Sequence, residues 1–247
     1  MYATPSPELS QLNTLWQRGR DLLGTKYAIL GGAMSWVSER TLVAALSNAG
    51  AFGVIACGSM PPTLLETEIR ATQALTTKPF GVNLILMHPE LDALIEACKR
   101  CNVTHIVLAG GIPKAATIAS IKSFAKVICF APSAAIGRKL VKIGADALVI
   151  EGTEAGGHVG PVSTSVLAQE ILPAITEVPL IVAGGIGRGE TMTSYLQMGA
   201  SGVQLGTRFV CATESIAHPN FKRAFIHGNA RDAVASTQID PDFPVIP

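Results

Sequence analysis

No run of like charge stands out anywhere in the sequence, and the totals nearly cancel, with 19 basic and 18 acidic residues for a formal charge of +1. That balance argues against nucleic acid or an anionic membrane as a partner. No apolar stretch approaches the roughly 18 residues of a membrane span. The first residues, MYATPSPELSQLNTLWQRGRDLL, lack the apolar core of a signal peptide, so a soluble, cytoplasmic protein is expected. Cysteine is scarce: Cys57, Cys98, Cys101, Cys129 and Cys211 make five, an odd number in a chain too large to need disulfides, which fits a reducing compartment. The pair in CKRC has no second pair and no nearby histidine at ligand spacing, so both cysteines read as ordinary helix residues and no metal is expected.

What is present is a large apolar fraction, 48% of 247 residues, enough for one sizeable core. Eight short apolar, β-branched runs recur at residues 27–32, 53–56, 81–86, 104–110, 126–130, 147–152, 179–185 and 202–207, separated by longer amphipathic stretches. Such alternation implies parallel strands joined by helical crossovers, and eight repeats predict a closed (β/α)₈ TIM barrel in a single domain. The expected layout is an N-terminal helical extension over 1–24, the barrel over 25–228, and a tail over 229–247 without regular structure. A helix over 8–23 would close the bottom of the barrel. Ser38 is the expected N-cap of a helix over 38–50. Three helices end alike, in SNAGAFGVI, VKIGADALVI and LQMGASGVQL, each stopping at glycine before a buried strand.

Barrels of this kind build their sites at the C-terminal ends of the strands, and most glycines outside helix ends fall there. Ala183-Gly184-Gly185-Ile186-Gly187 follows the seventh run, and Gln204-Leu205-Gly206-Thr207-Arg208 ends the eighth. Glycines let backbone N–H groups approach an anion closely, and the Thr207 hydroxyl adds a donor. Two such loops on adjacent final strands point to a phosphate site. The sixth run leads into Glu151-Gly152-Thr153-Glu154-Ala155-Gly156-Gly157-His158, which brings one imidazole to the same mouth, suited to taking or giving a proton near neutral pH. Asn83, at the end of a buried run, either donates to a ligand or caps the following loop. His105 and His88 read as packing or solvent residues, and His218 and His227 carry no assigned role.

Gly32-Ala33-Met34, Gly81-Val82-Asn83, EAGGHVGP at 154–161, AGGIG at 183–187 and QLGTRF at 204–209, taken in order, resemble the nitronate monooxygenase family, formerly the 2-nitropropane dioxygenases, which also holds the FMN-dependent enoyl-ACP reductases. The resemblance runs from about residue 25 to about residue 225. It implies FMN across the mouth, with its phosphate on Gly184, Gly185, Gly206 and Thr207 and its ring near Ala33, Met34, Asn83 and Ala109. Gly32, Glu151, Gly156, Gly157, Ala183 and Gln204 complete the implied cofactor set, and His158 matches the catalytic histidine. Family members commonly carry Gln where this chain has Gly31, and they continue past the position of Pro247 with a segment over the substrate. An open mouth, a covering partner subunit or lost oxidase activity is therefore expected. The implied reaction is oxidation of an alkyl nitronate by O₂ with His158 as base. The alternative is reduction of an enoyl thioester with NAD(P)H as electron donor. Further rivals are a flavin-free lyase or isomerase on the phosphate site and a flavin binder without turnover. The expected partners are a small-molecule substrate and a second copy in a homodimer.

Overall fold

The computed structural model describes residues 7–238 and 245–246. A strand forms on each of the eight apolar runs: Ile29–Gly31, Gly53–Ala56, Phe80–Ile85, His105–Ala109, Lys126–Phe130, Ala147–Glu151, Leu180–Ala183 and Gly202–Leu205, the third beginning one residue early. All pair in parallel, each with its neighbour in sequence and the first with the eighth. The ring closes between the first and second strands through a single bridge, Leu30 to Phe52. Gly31 N–H donates to Phe52 O at 2.9 Å and Phe52 N–H to Ile29 O at 2.8 Å. The fold is the expected TIM barrel.

The strands read as continuous apolar runs because both faces are buried. Leu148 and Ile150 face outward into the layer beneath the helices, while Ala147 and Val149 face the barrel interior with Leu30, Val54, Val107, Ile128 and Ile181. The helix-to-strand turns at Gly50, Gly144 and Gly199 pass through left-handed backbone (φ 89°, 108° and 109°), as the repeated glycine endings required. No helix among the described residues is long and apolar enough to cross a membrane.

Three expectations need correction. The N-terminal extension is two helices, Pro7–Leu15 and Gln17–Leu23, broken at Trp16, whose buried ring packs on Tyr27 at 5.8 Å. The second helix seats Leu22 and Leu23 in the interior core and so does close the bottom. Leu22 O accepts from His105 Nε2 at 2.9 Å, and burial pushes that imidazole's pKa down, so His105 is a packing residue. Second, the helix after the first strand spans Arg40–Asn48 and is capped by Glu39, whose carboxylate accepts from Thr41 N at 2.9 Å and Leu42 N at 3.2 Å. Ser38 is buried instead and serves the preceding loop. Third, the tail is not irregular throughout. A 3₁₀ turn forms at Ala230–Asp232, and Val245–Ile246 pairs antiparallel with a two-residue strand, Gly157–His158. The pairing partner lies far away in sequence, so no local periodicity announces it.

The candidate active site at the barrel mouth

Strand register decides which side chains meet at the mouth. In a parallel pair, residues in register share a face, so the inward series of Leu30, Val107, Val149 and Ile181 fixes the uppermost inward ring. That ring consists of Gly32, Ala56, Asn83 with Ile85 above it, Ala109, Phe130, Glu151, Ala183 and Gln204. Most members are small or apolar, which leaves an open floor. Three are polar, and each differs in what holds it. Asn83 is buried and donates through Nδ2 to Val107 O at 3.1 Å. Gln204 stands next to Gly32, where a Cβ would lie 3.4 Å from its Cγ. Glu151 and Gln204 flank Ala183 in register on either side, two strand spacings or about 10 Å apart.

Of the ring, Asn83 drew notice on its own as a polar residue ending a buried run, and Gly32, Ala109, Glu151, Ala183 and Gln204 entered through the family resemblance; Ala56, Ile85 and Phe130 did not, because an apolar residue on a strand looks like any core residue. Ala33 and Met34 rise above the ring beside the eighth-strand loop, where a Cβ on Gly206 would lie 3.6 Å from Met34 Sδ. The buried Ser38 hydroxyl fixes this loop, accepting from Met34 N at 3.0 Å and donating to Gly32 O at 3.0 Å.

The two glycine loops lie side by side. The N–H groups of Gly185 and Gly187 find no acceptor among the described residues, and both residues are exposed to solvent with Thr207. Gly184 has little room: a Cβ would lie 2.9 Å from Ala155 N and 3.0 Å from Thr164 Oγ1. Arg208 ties the loops together, with Nε donating to Gly187 O at 3.0 Å. Free N–H groups, a threonine hydroxyl and absent side chains are the chemistry a phosphate requires, so the residues present fit such a group.

The histidine loop leaves the sixth strand through Gly152 and is clamped at its base. Thr153 N–H donates to Val162 O at 3.0 Å. The Glu154 carboxylate accepts from Thr164 N at 2.7 Å and Thr164 Oγ1 at 2.9 Å. Partial burial pushes the Glu154 pKa up, but the bonds from Thr164, its own backbone N–H and the Thr153 hydroxyl together hold the group below the usual carboxylate range. A lowered pKa means that the clamp is intact at neutral pH and is lost as pH falls below the usual carboxylate range, through the lowered value. Glu154→Gln, which mimics the protonated state at neutral pH, is expected to speed amide exchange several-fold across residues 155–160, and at acid pH the wild type should approach the variant. Thr164 itself escaped the sequence reading, since a threonine opening a helix signals only a cap.

The loop tip bears Gly156, Gly157 and His158, all exposed. His158 is held through its backbone by the strand pairing to Val245, and it stands outside the inward ring. Glu151 is the ring's one ionisable member. No hydrogen-bond partner faces its carboxyl among the described residues, and burial raises its pKa to about 7. The CKRC thiols are no rival site, since Cys98 and Cys101 are buried and burial raises both pKa values.

Proteins of known name resemble this chain over most of its length. A hydroxy-methyl-oxo-octahydroindene-carboxyl-CoA dehydrogenase of Rhodococcus jostii is 35% identical over 93% of the chain. The chain spans 65% of that relative's length and 62% of a like-named protein from Mycobacterium tuberculosis. The structure of FabK from Thermotoga maritima superposes with a TM-score of 0.88 at 38% identity, over 92% of this chain and 73% of FabK. Nitroalkane oxidase from Streptomyces ansochromogenes does so with a TM-score of 0.77 at 27% identity, over 83% of this chain and 71% of its own. Residues 17–241 match the model of the nitronate monooxygenase family, and the chain belongs to that family.

Proposed function

We propose that this barrel is an FMN-dependent oxidoreductase. The observation that carries the reading is the pair of adjacent glycine loops, with outward N–H groups, standing beside a ring of mostly small inward residues. In this reading Gly184, Gly185, Gly206 and Thr207 hold the phosphate. The ring system lies over Gly32, Ala33, Met34, Asn83, Ala109 and Ala183, with Glu151 and Gln204 as polar contacts and Gly156 and Gly157 admitting it beneath the histidine loop. FMN would supply the redox chemistry; the chain supplies placement and proton handling. His158, carried on a clamped loop at the mouth, takes or gives the proton at the substrate carbon.

Two substrate classes compete. The 35% identity to a carboxyl-CoA dehydrogenase supports a thioester substrate, and reduction of such a substrate with NAD(P)H as donor is the form of this reading that the family resemblance implies. Alkyl nitronate oxidation by O₂, the reading placed first from sequence motifs, draws support from nitroalkane oxidase at 27%. The purified protein is expected to show an oxidised-flavin band near about 450 nm, or to gain one on reconstitution with FMN. Bleaching of that band by NAD(P)H without oxygen supports the thioester reading, and a response to ethyl nitronate alone supports the second. A protein that cannot be loaded with FMN rules out both.

A further inference from the structure

The top ring holds one ionisable side chain, and nothing in the fold explains why it is there. Glu151 closes the sixth strand on the inward face, continuing the series Ala147 and Val149, so its carboxyl is directed to the mouth. Around it in the ring stand Gly32, Ala56, Ala109, Phe130 and Ala183, which offer no polar side-chain atom, and the amides of Asn83 and Gln204, of which Asn83 already donates to Val107 O.

Charged groups on the packed elements are turned elsewhere. Glu154 faces Thr164, Arg208 faces Gly187 O, and Arg188 pairs with Glu190 at 3.1 Å. His105 and Lys126 both face Leu22 O at the opposite end of the barrel. His158 sits on the exposed loop above. Glu151 is half-buried, and a carboxylate without a cation in such surroundings is disfavoured relative to one in open water, which shifts the balance toward the neutral acid. The neutral acid differs from the carboxylate in the one property that matters to a ligand: it donates a hydrogen bond, whereas the carboxylate can only accept.

We propose that Glu151 is a hydrogen-bond donor of the cofactor pocket, a carboxylic acid kept neutral so that its O–H serves a carbonyl or ring-nitrogen acceptor of the bound flavin, and that ionising it weakens binding. The inference rests on the FMN reading above and goes beyond it in assigning a protonation state and a direction of pH dependence. A burial-raised pKa of about 7 places the change within the physiological range, with the donor present below it and lost above it.

The test is FMN affinity of apoprotein, read by quenching of flavin fluorescence between pH 6 and pH 8.5, for wild type, Glu151→Gln and Glu151→Leu. The ionisation of the FMN phosphate is common to all three and cancels in ratios taken at each pH. The amide of Gln is a donor at every pH. The wild-type dissociation constant, divided by that of Glu151→Gln, should therefore rise about tenfold as pH climbs through 7, the size of one lost donor bond. Glu151→Leu, which lacks the donor throughout, should be weaker than wild type by a similar factor at pH 6 and nearly equal to it at pH 8.5. A ratio that stays flat, or falls because the carboxylate binds better as an acceptor, overturns the assignment while leaving FMN as the cofactor. Failure of all three proteins to bind FMN at any pH overturns the cofactor reading itself, and this proposal with it.

Discussion

Substituting His158 with alanine is expected to lower turnover about 10²- to 10⁴-fold, the usual contribution of a positioned general acid or base, with FMN affinity changed less than about threefold. The separation of the two effects follows from where the residue stands. His158 lies at the exposed tip of its loop and outside the inward ring, whereas the loop is anchored through Glu154, Thr153 and the backbone pairing to Val245. These anchors are the side-chain bonds of Glu154 and the backbone bonds of Thr153 and His158. Stopped-flow kinetics on the loaded enzyme can separate the steps: reduction of the flavin by NAD(P)H should survive in His158→Ala while the substrate half-reaction slows. Turnover reduced by less than tenfold would remove His158 from the role of proton carrier.

The second large effect is expected at Gly152, and it is steric. A Cβ there would lie 2.1 Å from Thr164 N and 2.5 Å from both Thr164 Cα and Oγ1. Backbone cannot yield as a side chain can, so Gly152→Ala must push the start of the helix Thr164–Ile171 away from the sixth strand. Overpacking of this kind costs about 1–3 kcal/mol, and in a chain of this size each kcal/mol lowers the melting temperature by roughly 2–4 °C. The same displacement opens the Glu154–Thr164 clamp and shifts Gly184, whose space is bounded by Thr164 and Ala155. Loss of FMN affinity of tenfold or more is therefore expected alongside the lower melting temperature. Gly189→Ala is the control, because nothing lies within 4 Å of a Cβ there and alanine favours a helix over glycine by up to about 1 kcal/mol; its melting temperature should not fall. A Gly152→Ala protein that melts with wild type would show that the strand-to-helix junction can yield.

The parts of this molecule legible from sequence share a physical cause. Strands buried on both faces must be apolar throughout, so all eight declared themselves. Loops that bare their backbone must shed side chains, so Gly184, Gly185 and Gly206 stood out. The parts that were not legible depend on contacts between distant segments. Ser38 and Glu39 both carry oxygen acceptors, and only burial decides that Ser38 serves the Gly32–Met34 loop while Glu39 caps the helix. Trp16 interrupts the N-terminal extension, and Gly19 fits there because a Cβ would lie 2.0 Å from Ser201 O, a neighbour 182 residues along the chain. The strand Val245–Ile246 has no signature of its own; it exists because Gly157–His158 offers a backbone edge.

The closure of the ring has a mechanical consequence. Most neighbouring strands are joined by three or four register pairs, whereas the first and second meet at the lone bridge between Leu30 and Phe52. The cylinder thus has a seam, and it runs between the loop bearing Ala33 and Met34 and the end of the second strand at Ala56. From the second strand round to the first the ladder is otherwise unbroken, so this junction is its one thinly paired place. At its upper end the seam is bonded all the same, since Ala56 N–H donates to Ser38 O at 3.0 Å; Ser38, whose hydroxyl also fixes Gly32 and Met34, thus acts as the rivet that holds the rim of the cylinder where its ladder is thinnest.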